Sequence, residues 1–372
     1  MYLSKMRKYI VTLLLLCFYG VSVAGQIKTG PVINVTVDFE SARIITGLLA
    51  GKKVTDEQLT NAAQAFGSKQ LIAKVKGYSG AGEDKFKSTL REIIETGTIK
   101  GDDNYNWKLV KANLPQIRLL INKLAADQKS FIADVTRMIE TYTPDSINAN
   151  VRACFLVGGG SLGFVLNDGS IFNVALQKIG NDYEGLRYLV AHELYHSIQD
   201  AGRTLRKVSA QKGTPYNAKA SWAIAYNVWS EGTATLVGDI TRITKPEPFT
   251  KVQMEEVNKN LARKRQNFVL IETMLFKAYA DTATHVYNEL YNIGFTTGYD
   301  EAGYYVGYEM AKKLQQFNGA GAIADLIIND PLVMFEEYIK LYKAHPQDNT
   351  FIRFDATTEG IIASLAQWKG KI

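Results

Sequence analysis

The sequence predicts an α+β protein, mostly α-helical, with one small, largely antiparallel sheet near its middle. Three observations predict this. Long stretches carry apolar residues three and four apart, the helical period. Short segments at 33–39, 151–157, 162–166 and 170–176 have strand length and strand pattern. Between the last two lies Asn167-Asp168-Gly169, a strong hairpin turn signal.

The chain opens with MYLSKMRKYIVTLLLLCFYGVSVAGQ. Basic residues Lys5, Arg7 and Lys8, an apolar stretch from Tyr9 to Val23, and small residues at Ser22 and Ala24 read as a secretory signal peptide. It spans residues 1–24, with cleavage expected after Ala24. The apolar run is shorter than the ~20 residues a membrane-spanning helix needs. No later stretch is long and apolar enough either, so no stable membrane insertion is expected after cleavage. A secreted or periplasmic protein follows. Leu16 stands where a lipoprotein signal ending at Cys17 would carry a small residue. Only Cys154 then remains, inside the apolar run Val151–Val157, where it reads as a small buried hydrophobe. A lone cysteine makes no internal disulfide, so a packed core must hold the exported chain together.

Residues 25–145 read as a helical N-terminal region. Ile33–Phe39 alternates as a short strand. Thr55 and Gln58 fit a capping box that opens a helix over Asp56–Phe66. Apolar stripes follow at Phe86, Leu90, Ile93 and Ile94, then at Leu109, Leu114, Ile117, Leu120, Ile121 and Leu124, then at Phe131, Val135 and Met138. These stripes read as core packing. The texture changes near residue 150, and residues 146–372 hold the strands and further helices. Lys245–Pro248 (KPEP) marks a loop. Gly158, Gly160 and Gly163 match G-x-G-x-x-G, but a dinucleotide site needs a helix to follow, and Phe164–Leu166 and a turn follow instead.

Composition excludes several classes. Of 372 residues, 46% are hydrophobic and 22% charged, ordinary globular values that leave out disordered, collagenous and multi-pass membrane proteins. The formal charge of +6 falls to +3 once the three basic residues of the signal are removed. With no dense basic run, nucleic acid is not an expected partner.

The chemistry concentrates in Tyr183–Gly202, which Asp182 can cap and Gly202 can end. Within it stands His192-Glu193-Leu194-Tyr195-His196, an H-E-x-x-H motif, in a chain of only four histidines, with His285 and His345 elsewhere. Residues four apart on a helix stand one turn above each other, so both imidazoles can reach one zinc ion. Glu193 projects beside them, where it would touch an attacking water rather than the metal. A catalytic zinc usually takes a third protein ligand. Ser221–Gly238 is apolar or small nearly all round, so it reads as a buried helix, and its one charge is Glu231. A lone buried carboxylate is costly unless paired or bound to metal. Asp200 and Asp239 are weaker ligand candidates.

HELYH followed by WSEGTA resembles the gluzincins, zinc metallopeptidases whose third ligand is a glutamate on a second helix. The closer likeness is to exported bacterial zinc-dependent peptidases that pair these motifs with a later Gly-Tyr-Tyr-x-Gly-Tyr segment, here Gly303-Tyr304-Tyr305-Val306-Gly307-Tyr308. The resemblance covers roughly residues 150–320. It implies a zincin-like catalytic region, one Zn2+ held by His192, His196 and Glu231, Glu193 as general base, and a peptide or protein substrate. It also implies an oxyanion donor at Tyr305 or Tyr304. Thr235 stands where several relatives carry an aspartate that supports a ligand histidine, and Asp239 is the nearest replacement. The edge of the small sheet, at Ser170–Val174, is the expected seat for an extended peptide. Two other readings are a non-catalytic zincin-fold binding scaffold and a zinc amidase acting on cell-wall amides.

Overall fold

The computed structural model describes residues 30–372 apart from 167, 207, 210 and 282–285. The segment read as an export signal, Asn167 of the expected turn and His285 lie outside the described residues. Strand β1 (Val32–Asp38) leads into seven helices: α1 (Glu40–Leu49), α2 (Asp56–Gln64), α3 (Phe66–Ser79), α4 (Glu83–Thr96), α5 (Trp107–Ala112), α6 (Leu114–Ala126) and α7 (Gln128–Glu140). The expected capping box is present at α2, with the Thr55 hydroxyl accepting from the Gln58 N–H and the Gln58 side chain accepting from the Thr55 N–H. The second stripe is split between α5 and α6. Pro115 stands at the start of α6, where its missing N–H costs no helical bond.

Strands β2 (Asn148–Leu156), β3 (Gly163–Val165) and β4 (Ile171–Ala175) follow. The α+β, mostly helical class holds, but the sheet is mixed rather than largely antiparallel. Its order is β1-β2-β4-β3; β1 pairs parallel with β2, β2 parallel with β4, and only β3 with β4 is antiparallel. The hairpin at 163–175 forms as expected. What the alternation did not reveal is that the returning strand β4 inserts beside β2. That leaves β3 outside, so Ser170–Val174 is interior and cannot accept a further strand. The free edge near the HExxH helix is β3.

The remaining helices are α8 (Tyr183–Leu205), α9 (Tyr216–Val237), α10 (Pro248–Ala262), α11 (Lys264–Ala280), α12 (Val286–Phe295), α13 (Ala302–Asn318), α14 (Ala320–Ile328), α15 (Leu332–Ala344) and α16 (Ala356–Leu365). Helix α8 runs three residues past Gly202, which is no stop signal. A Cβ there would come within 2.1 Å of the Ile327 side chain, so the glycine lets α14 lie against α8. Pro31–Ile372 forms one compact unit around one apolar core, from Phe39 through Phe155 and Trp229 to Leu365. Among the described residues no helix is long and apolar enough to cross a membrane. Cys154 is buried, and burial pushes its thiol up to about 12.

Candidate active site

The α8 helix begins at Asp182, whose carboxylate accepts from the Gly185 N–H at 2.7 Å and from the Thr250 N–H at 2.7 Å. From that anchored start, His192 and His196 project one turn apart, with Nε2 to Nε2 at 3.1 Å. Helix α9 brings Glu231, whose Oε2 stands 3.5 Å from His192 Nε2 and 3.2 Å from His196 Nε2. The three expected ligands therefore converge.

The position of α9 is set by a close crossing with α13. A Cβ on Gly232 would lie 2.2 Å from the Gly307 Cα, and one on Gly307 would lie 1.9 Å from the Val228 carbonyl oxygen. Only glycine permits this approach. It places Glu231 beside the helix that carries Tyr304.

These atoms suit a metal better than one another. Glu231 Oε2 is buried and has no geometrically sound hydrogen-bond partner, despite the two nitrogens at contact distance. Atoms bound to one tetrahedral zinc by bonds of ~2.0–2.1 Å stand about 3.3 Å apart, which matches the 3.1–3.5 Å found here. The three side chains keep 15–19% of their surface accessible, so the cluster is not sealed.

A supporting shell orients His196. The Gln199 amide nitrogen donates to the Ser230 carbonyl at 2.8 Å and to Thr233 Oγ1 at 2.8 Å, which fixes its carbonyl end as the acceptor. That carbonyl accepts from the Ser230 hydroxyl at 2.9 Å and from His196 Nδ1 at 2.8 Å. Nδ1 carries a proton, so Nε2 is the nitrogen left to face the cluster. Gln199 and Ser230 were not singled out from the sequence. The available signal was a polar residue three positions after His196, on the buried side of its helix. Asp239 does not play this part: it accepts from Thr241 and from the Tyr308 hydroxyl at 2.9 Å. Asp200 pairs with Arg203 at 2.7 Å. Neither joins the cluster.

Electrostatics couple the pair. Burial opposes the imidazolium of His196, but the adjoining Glu231 carboxylate outweighs it and raises the pKa to about 9. Burial also opposes the charge of Glu231, and the two imidazoles outweigh it, holding that carboxyl well below the usual carboxylate range. A proton or a metal ion can thus occupy the same face of His196.

Glu193 is buried against strand β3. A Cβ on Gly163 would fall 2.1 Å from its Oε1, so the last glycine of the decoy motif makes room for this carboxylate. Burial pushes Glu193 above the usual range, the imidazoles pull the other way, and Glu231 pushes it further up. The tyrosines separate. Tyr304 lies over His192, with centroids 6.3 Å apart and planes 6° from parallel. Burial and then Glu231 push its phenol well above the ordinary value. Tyr305 is buried elsewhere, in the field of Glu301, Glu256, Asp300 and Arg263. Tyr308 is occupied by Asp239 and Lys312.

No curated protein and no solved structure matches the chain. A family model described as "Putative zinc dependent peptidase (DUF5700)" matches residues 59–347, well over half of the chain and all of the cluster above. The chain therefore belongs to this zinc peptidase family.

Proposed function

We propose that this protein is an exported metallopeptidase that hydrolyses peptide bonds with one zinc ion held by His192, His196 and Glu231. The observation that carries the reading is the convergence of those three ligand atoms beside a buried carboxylate, Glu193, for which Gly163 clears the space. Zinc held there would supply a Lewis acid that polarises the scissile carbonyl and acidifies the attacking water. Glu193 takes the proton of that water and passes it to the leaving amine, a role that its raised pKa favours. The oxyanion role passes from Tyr305 to Tyr304, whose ring borders His192.

The unpaired edge of β3 supports a peptide over other amides. Leu162 pairs with β4 through Ala175, so Phe164 pairs too, while the main-chain groups of Gly163 and Val165 point to the free edge. An extended substrate added there lies against Glu193. Residues 1–24 supply the export signal, and N-terminal sequencing of the exported protein should begin at Gly25; a start at Met1 removes that part of the proposal.

The central test compares Glu193→Gln with Glu231→Ala. The first should retain zinc and lose cleavage of a peptide pool. The second should lose zinc by elemental analysis. Retained cleavage in the first variant excludes Glu193 as base, and unchanged metal in the second reassigns the third ligand.

A further inference from the structure

Helix α3, from the N-terminal region, lies across the loop that leads into β3. The Gly160 N–H donates to the Tyr78 hydroxyl at 3.2 Å, and the Leu71 side chain packs on Gly158 and Gly159. Between those two anchors Lys74 extends to the edge strand, its Nζ 5.6 Å from the centroid of the Phe164 ring. Neighbouring residues of a strand face opposite sides. Gly163 faces Glu193, so Phe164 faces α3, and Lys74 stands on the side of β3 opposite to the catalytic helix. Lys74 is a half-buried residue, and among the described residues no carboxylate lies within 4.0 Å of its ammonium. It is still close enough to act on the Glu193 carboxyl. An ammonium without a counter-ion beside an open strand edge is placed to take an arriving carboxylate in a charge-assisted contact.

We infer that Lys74 is a specificity-determining residue, binding a carboxylate of a substrate strand laid along β3. The inference rests on the proposed peptide hydrolysis. It follows from the alternation of an added strand. Side chains that point to the α8 side meet the metal cluster, and those next to them point to the α3 side and meet Lys74. The carboxylate comes from an Asp or Glu side chain adjoining the scissile bond, or from a free C-terminus close beyond it. Both present the same anion to the same ammonium.

The test uses fluorescent peptides in matched pairs, Asp against Asn inside the chain and free against amidated C-terminus. Binding to Glu193→Gln protein is followed by anisotropy and cleavage by wild type. The acidic member of at least one pair should bind about tenfold more tightly, as expected for one charge-assisted contact. Cleavage should show the same ratio, mainly in KM. Lys74→Met should bring the ratio to near one, Lys74→Arg should restore it, and Lys74→Glu should reverse it in favour of the neutral member of the pair. Which pair carries the ratio tells the side chain from the terminus. A general electrostatic effect of Lys74 on Glu193 would change all peptides equally and leave the ratio untouched. A ratio near one in the wild-type background, or one that survives Lys74→Met, overturns the inference. A Lys74-dependent binding ratio with no cleavage of any peptide upholds the subsite and overturns the hydrolysis instead.

Discussion

Single atoms decide whether this cluster works. Gly163 has no conformational duty; its φ is unremarkable, and its role is to be absent beyond Cα. Gly163→Ala should cut kcat by two orders of magnitude or more while leaving circular dichroism and zinc content unchanged, because the added methyl displaces Glu193 and not a ligand. Gln199→Leu should act on the metal, weakening zinc binding by about 10–100-fold in a competition titration, since such supporting partners orient the ligating ring. Proton competition at His196 has a definite sign. With a pKa of about 9 without metal, the ring is protonated below that pH and must lose its proton to bind zinc. Apparent zinc affinity should therefore fall as pH drops from 9 to 6, and calorimetry in buffers of different ionisation enthalpy should record proton release near neutrality. The convergence of His192 and His196 was legible in the sequence because i, i+4 spacing alone makes two imidazoles coincide. Glu231 was legible as the one charge on an apolar helix. Gln199, Ser230 and Gly163 were not, since their roles depend on which neighbour a fold brings, and Tyr304 could not be told from Tyr305 without knowing the rotation of its helix.

At the scale of elements, the crossing of α9 and α13 governs the site. The two glycines bring backbone against backbone, so any side chain at Gly232 or Gly307 must push the helices apart. Gly307→Val should destabilise by at least the ~1–3 kcal/mol typical of overpacking, read as a lowered midpoint in denaturant. It should also lower zinc affinity, because Glu231 moves with α9. Helix periods, the capping box at Thr55 and the hairpin at 163–175 were all readable from local pattern. The sheet order was not. Whether β4 lies beside β2 or outside β3 depends on contacts across the sheet that a strand's own alternation does not encode, and that order decides which edge is left unpaired.

Across the whole molecule, residues 30–145 are structural partners of the rest. Strand β1 pairs along its full length with β2, α3 packs on the loop before β3, and the apolar core is continuous between the two regions. A chain starting at residue 146 exposes the edge of β2 and should aggregate or fail to give a cooperative unfolding transition. Cys154 offers a gauge of integrity: with burial holding its thiol near 12, iodoacetamide at pH 8 should not label Cys154 in the folded protein and should label it after denaturation, read by peptide mass mapping.

The pairing of β1 with β2 joins residues 32–38 to residues 148–154, and the crossing of Gly232 with Gly307 joins the middle of the chain to its last third. Nothing made by the ribosome before α13 emerges can bring His192, His196, Glu193, Glu231 and Tyr304 together. Until that last third is made, the cluster has neither Tyr304 nor the helix against which α9 seats Glu231.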